Sequence, residues 1–223
     1  GEMVMEEFID GLVSGSPEKP GPFLREQALA HVFPDLMDQV QPVPIYTRPN
    51  WMPGSYPLRR VHDPINREAL LEINFAGGGR AFPYLHFDKR HAHAFITQLY
   101  GEKEFVVFPP EQEQFLYPVG KERYSHLNDV NAPDLMRFPL YAKAQPIRIT
   151  LQPGESVFMA CGWWHTTRVT GPSLSTVISF ANASNWKDLA RDTGEEFTHR
   201  PWFGRLYASY LRSLAIPRAL FRR

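Results

Sequence analysis

Tyr84-Leu85-His86-Phe87-Asp88, answered much later by Gly162-Trp163-Trp164-His165, decides how this chain is read. On an extended strand, side chains two positions apart point the same way, so His86 and Asp88 share a face. Two imidazoles and one carboxylate on one face of a metal leave the opposite face open. That donor set suits non-haem Fe(II), which must also hold a cosubstrate and dioxygen. A bare His-x-Asp pair is common, so the reading depends on what surrounds it.

The surrounding pattern is that of an antiparallel barrel. Between residues 69 and 180 short apolar or alternating runs follow one another, broken by turn residues. They are Leu70-Leu71-Glu72-Ile73-Asn74-Phe75, Glu104-Phe105-Val106-Val107-Phe108, Ile147-Arg148-Ile149-Thr150-Leu151, Ser156-Val157-Phe158-Met159 and Ser175-Thr176-Val177-Ile178-Ser179-Phe180. Such spacing predicts a mainly β jelly roll, a double-stranded β-helix, over residues 67–183. Gln152-Pro153-Gly154-Glu155 is a turn that launches the strand reaching Met159, so His165 is expected at a barrel rim. The strand bearing His86 and Asp88 can then lie beside the one ending at His165, with residues 112–146 as the intervening excursion. Alone, His165 reads as a histidine capping a core strand; beside His-x-Asp, the ligand reading is preferred.

Helices flank the barrel on both sides. Met5, Phe8, Ile9 and Leu12 recur at helical spacing, and Phe23-Leu24-Arg25-Glu26 opens a second predicted helix running to Val32. From residue 41 to 66, Pro42, Pro44, Pro49, Pro53, Pro57 and Pro64 predict an extended segment that wraps the core. Residues 1–66 thus read as a helical cap with a proline-rich wrap. The tail, 184–223, carries Trp186, Leu189 and Ala190 on one helical stretch and Phe203, Leu206, Tyr207, Tyr210, Leu211 and Leu214 on another.

A chain of 223 residues fits one domain able to bury a substantial core. Lys and Arg number 24, as do Asp and Glu, so no global field draws in nucleic acid or an anionic membrane. Cys161 is the only cysteine, which excludes an internal disulfide framework and multi-cysteine zinc sites and favours a reducing, cytoplasmic compartment. No run approaches the roughly 18 apolar residues of a membrane span. The start on Gly1 suggests that the natural chain extends upstream.

Taken together, His86-Phe87-Asp88, the run from Gln98 through Gly101-Glu102-Lys103 to Pro109-Pro110, Leu151-Gln152-Pro153-Gly154-Glu155 and Gly162-Trp163-Trp164-His165 carry a family resemblance. The chain resembles the jumonji C, or cupin-like, oxygenases that depend on Fe(II) and 2-oxoglutarate. Within that family it is most similar to the branch holding the asparaginyl hydroxylase of hypoxia-inducible factor. The similarity spans roughly residues 70–186. It implies that His86, Asp88 and His165 are the metal ligands and that Lys103 pairs with the distal carboxylate of 2-oxoglutarate. Read without the resemblance, Lys103 is a solvated hairpin charge. It further places Ser179 and Thr167 beside the cosubstrate, and allows a homodimer through the C-terminal helices; the alternative is that their aromatic stripe packs on its own barrel. The activity implied is hydroxylation of a protein side chain or small molecule, with 2-oxoglutarate decarboxylated to succinate.

Departures from the family accompany the matches. The usual cosubstrate-binding asparagine is Ala94 here, and the hydroxyl residue three before the first ligand is Pro83. His91 or His93 offers a substitute polar contact, or else sits exposed at the rim; Tyr84 offers a phenol, or else packs in the core. Trp163, Trp164 and Phe87 are read as packing aromatics that also exclude water. Arg218, Arg222 and Arg223 read as a solvated basic end. Two other classes stay open: a cupin-type metal enzyme that does not use 2-oxoglutarate, and a noncatalytic binding module with the same fold.

Overall fold

A computed structural model describes residues 4–40, 44–52, 71–120 and 122–215. Among the described residues, eight strands form two antiparallel sheets. The larger sheet contains β1 (Phe23–Ala28), β2 (Leu71–Ala76), β8 (Ser173–Phe180), β3 (His93–Tyr100) and β6 (Ser156–Met159), in that spatial order. The smaller contains β5 (Ile147–Leu151), β4 (Lys103–Phe108) and β7 (Trp164–Arg168). The chain changes sheet at the β3–β4, β5–β6, β6–β7 and β7–β8 connections, which is the jelly-roll pattern expected from the sequence.

Glycines make the sharp corners possible. Gly101, between β3 and β4, has φ +66, and a Cβ there would meet the Pro172 carbonyl oxygen at 2.1 Å. Only glycine takes that backbone turn against that neighbour without strain. The corner delivers Lys103 to the first position of β4. Between the sheets, Ala94, Ile96, Phe105, Val107, Leu151 and Met159 form an apolar layer. The excursion between β4 and β5 packs a second cluster, with Leu116, Leu127, Val130 and Phe138 closing over Leu85, Val106, Phe108 and Trp164.

One expectation is overturned. The stretch opening at Phe23 is not a helix: it is the edge strand β1, paired with β2, and only Leu29–Val32 forms a helical turn, α2. Leu, Arg, Glu, Gln and Ala are good helix formers, but propensity yields to a free sheet edge. A bulge between Leu24 and Gln27 puts Glu26 at φ +56, with its N–H donating to the Asn74 side chain at 2.8 Å. The flanking helix α1 (Met5–Ser14) forms as read, and Phe8 meets Phe75 edge-on at 6.1 Å.

Of the proline-rich segment, residues 44–52 are described and lie on the larger sheet. Tyr46 stacks on Phe95, and the Trp51 N–H donates to the Ala181 carbonyl at 2.7 Å. The rest of that segment, Pro42, Pro53, Pro57 and Pro64 included, lies outside the described residues, as do Arg218, Arg222 and Arg223. Two C-terminal helices, α3 (Trp186–Glu195) and α4 (Pro201–Ser213), bury Trp186, Leu189, Tyr207 and Leu211 against Trp51, Met52 and Ala181. The inner half of the aromatic stripe therefore packs on its own chain, while Trp202 and Leu206 are exposed. Among the described residues no helix is long and apolar enough to cross a membrane.

Candidate metal centre

The extended stretch from Tyr84 to Asp88 is not part of either sheet; it is held by single bridges. His86 pairs with His165, its N–H donating to the His165 carbonyl at 3.0 Å and its carbonyl accepting the His165 N–H at 2.6 Å. His165 is the second residue of β7 rather than the end of a strand, so the strand after the Gly162 turn carries it. The ligand-type atoms of His86, Asp88 and His165 all lie within 4.8 Å of one another. The two imidazole centroids are 4.4 Å apart, and Phe82 stacks on His86 at 4.4 Å.

The protonation pattern prepares both imidazoles. Nδ1 of His165 lies 3.0 Å from the Trp163 carbonyl, and Nδ1 of His86 lies 3.4 Å from the Tyr84 carbonyl. A carbonyl only accepts, so each Nδ1 carries a proton and each Nε2 is the nitrogen left to face a metal. Burial, then the neighbouring His165 and Arg123, hold the His86 imidazolium well below the usual histidine range, so the ring is neutral. Oδ1 of Asp88 stands 3.9 Å from His165 Nε2, and buried Oδ2 has no hydrogen-bond partner among the described residues. Two converging lone pairs and an orphaned carboxylate oxygen fit a divalent first-row metal.

These groups open into a cavity of about 220 Å³ lined by alternate residues of five strands, together with Phe23 and Glu26 of β1. β2 contributes Glu72 and Asn74, β3 Ala94 and Ile96, β4 Lys103 and Phe105, β7 His165 and Thr167, and β8 Val177 and Ser179. Lys103, Thr167 and Ser179 thus share the cavity with the three ligand candidates. Lys103 is buried, its Nζ donates to Ser175 Oγ, and no carboxylate of a described residue lies within ion-pair distance. Burial without a counter-charge pushes its pKa down to about 8.

Neither His91 nor His93 reaches this cavity. His93 is buried, not a rim residue: its Nδ1 accepts the Cys161 N–H at 2.9 Å and its Nε2 meets Ser184 Oγ at 2.9 Å. His91 pairs with Asp192 on α3. Ala94 lines the wall where the family asparagine was expected, and offers no polar group. Tyr84 faces Arg25, which donates to its hydroxyl at 3.1 Å. Trp164 is fully buried in the second cluster with Phe87 edge-on at 5.0 Å, so both are packing residues.

Sequence reasoning missed Ser175, Glu72, Asn74 and Arg123. Glu72 and Asn74 occupy the polar side of an alternating strand, usually the solvent side; here it faces the cavity. Burial, then the charges of Glu26 and Asp88, raise the Glu72 pKa to about 7. The period-two pattern was the available signal, and only the barrel's closure tells which face is inside.

Comparison with known proteins bears on this site. The chain is 36% identical over 102 residues to human HSPB1-associated protein 1, covering 44% of this chain and 20% of that protein. It is 25% identical over 179 residues to the human 2-oxoglutarate and iron-dependent oxygenase JMJD4, covering 78% of this chain and 40% of that protein. It is 32% identical over 98 residues to Jumonji C domain-containing protein 5 of Drosophila melanogaster, covering 43% and 23%. The chain therefore spans well under half the length of each of these relatives. The family model described as the cupin-like domain matches residues 1–185, which is most of the sequence, and the chain belongs to that family.

Proposed function

We propose that this chain is an Fe(II)- and 2-oxoglutarate-dependent oxygenase that hydroxylates a C–H bond of a protein side chain or a small molecule. The observation that carries this reading is the content of one cavity: three metal-ligand groups and a buried ammonium with no counter-ion among the described residues. A dicarboxylate bound in this cavity would meet the metal-ligand groups with one end and the Lys103 ammonium with the other. Two JMJD4 proteins, of Homo sapiens and Gallus gallus, are named for the same iron and 2-oxoglutarate dependence.

The protein's own part follows from its geometry. His86 and His165 would hold the ion through Nε2 and Asp88 through its carboxylate, a three-residue donor set that would leave room for a cosubstrate. Bound iron with 2-oxoglutarate supplies the oxidising chemistry, releasing succinate and carbon dioxide. Lys103 anchors the distal carboxylate, and Ser175 fixes the direction of its ammonium. Thr167 and Ser179 add hydroxyls along the walls, while Ile96, Phe105 and Val177 keep the cavity apolar between them. No side chain has to act as a general base.

The test is the anaerobic visible spectrum of the metal-stripped protein after addition of Fe(II) and then 2-oxoglutarate. A charge-transfer band is expected in the wild type, absent in His86→Ala and weakened in Lys103→Ala. A folded wild-type protein giving no band would sink the reading.

A further inference from the structure

The three ligand candidates are not supported alike. Each histidine is oriented by a carbonyl on its own Nδ1, but among the described residues no hydrogen bond orients the Asp88 carboxylate. Its direction depends on the backbone that follows. That backbone is unusual: Arg90 has φ +59 and His91 φ +48, two successive non-glycine residues in the left-handed region. L-residues rarely adopt this conformation, and two in a row need external restraint.

The restraint comes from α3 and the residues at its two ends. Glu196 takes the Arg90 guanidinium in a two-pronged pair, Nε and Nη2 each donating at 2.8 Å, and Lys89 Nζ lies 3.5 Å from the same carboxylate. Asp192 accepts from His91 Nδ1, and buried Asn185 donates to the His91 carbonyl at 2.8 Å. The helix is itself seated on α4, where Gly194 and Gly204 cross so closely that a Cβ on Gly194 would meet the Gly204 carbonyl at 2.6 Å. A rigid frame outside the barrel thus grips the loop immediately after the carboxylate ligand.

We infer that Glu196, acting through Arg90, is a positioning residue for the metal ligand Asp88, so that α3 sets the metal affinity of a centre it does not touch. This rests on the metal-binding reading above. The two-pronged geometry is what makes Arg90 suited to the task, because it fixes orientation as well as distance. Asp188, whose one ion pair among the described residues is with Arg191 Nη1 on the same helix, provides a control.

Titration of the metal-stripped protein with Co(II), followed by its visible absorption, tests the inference in wild type, Glu196→Gln, Arg90→Ala, the double variant and Asp188→Asn. Melting temperatures of the same metal-free proteins separate affinity from folding. Glu196→Gln is expected to weaken Co(II) binding about tenfold or more, the range for lost outer partners of metal ligands. The double variant should be no weaker than Arg90→Ala, because both remove one interaction. Asp188→Asn should bind as wild type, with a metal-free melting temperature close to that of Glu196→Gln. Unchanged Co(II) affinity in Glu196→Gln overturns the inference, even with a lowered melting temperature, and so do losses that simply add. Wild type failing to bind Co(II) overturns the metal-binding reading as well.

Discussion

His86 and His165 are hydrogen-bonded to each other through their backbones in both directions. The bridge brings two imidazoles from distant parts of the sequence to a centroid separation of 4.4 Å. Two imidazoles and a carboxylate whose ligand atoms lie within 4.8 Å of one another are preorganised for a cation. Metal at about 100 times its Kd should therefore stabilise the protein by about 2.7 kcal/mol, a rise of about 5 to 10 °C in Tm. His86→Ala should lose that gain. A gain of equal size in the variant would mean that the metal binds elsewhere.

Lys103 predicts a pH-dependent cosubstrate affinity. With its pKa near 8 the ammonium is charged at pH 7 and neutral above, so affinity for 2-oxoglutarate should fall as pH rises through about 8. A carboxylate at Nζ favours the charged form, so binding at pH 9 should take up a proton. Calorimetry in buffers of different ionisation heat measures this directly. Lys103→Met should bind 2-oxoglutarate about 10- to 100-fold more weakly, the value of a charge-assisted pair. The lysine's folded pKa lies below its usual 10.5, so it costs stability below pH 8, and the cost fades between 8 and 10.5. Without ligand, Lys103→Met should therefore be more stable at pH 7, by on the order of 2 to 3 kcal/mol. Affinity constant from pH 7 to 9 and shared by the variant would contradict the assigned role.

Glu72 bears the opposite sign of charge and the same logic. Its pKa of about 7 stands above the ordinary 4.5, so the folded state holds the proton more tightly and loses stability as pH rises from 4.5 through 7. Glu72→Gln should raise the metal-free protein's stability at pH 8 by on the order of 2 to 3 kcal/mol, and by almost nothing near pH 4.5. Denaturant unfolding at both values decides it; an equal effect at the two pH values would remove the electrostatic explanation.

The parts of this molecule that were legible in sequence are those where residue type alone carries the chemistry. His-x-Asp, the later Trp-Trp-His and a lysine after a turn glycine are conspicuous, and the structure brings His86, Asp88, His165 and Lys103 into one cavity. β2, β4, β5, β6 and β8 announced themselves through apolar alternation. β1 did not, because Phe-Leu-Arg-Glu-Gln-Ala is helical by composition and becomes a strand only through the β2 edge. β7 did not, because Trp164–Arg168 is short and mostly polar. Ser175 could not be paired with Lys103 from spacing, since that contact depends on how the two sheets close. The Arg90–Glu196 link joins the ligand loop to a helix far along the chain, and nothing local marks either residue.

The β3–β4 corner delivers Lys103 to the cavity. Gly101 at φ +66 lies under the Pro172 carbonyl, 2.1 Å from where a Cβ would stand. Gly101→Ala adds both a left-handed backbone penalty and a clash with backbone that has no flexible end to yield. The expected cost is about 1 to 3 kcal/mol in denaturant unfolding. Relief of the clash requires the β3–β4 turn to lift from the start of β8, which shifts Lys103 relative to Ser175. The variant should therefore also lose affinity for 2-oxoglutarate while binding Co(II) as wild type, because His86, Asp88 and His165 lie on other segments. Equal losses of both ligands would mean that the corner supports the whole barrel rather than the lysine it leads into.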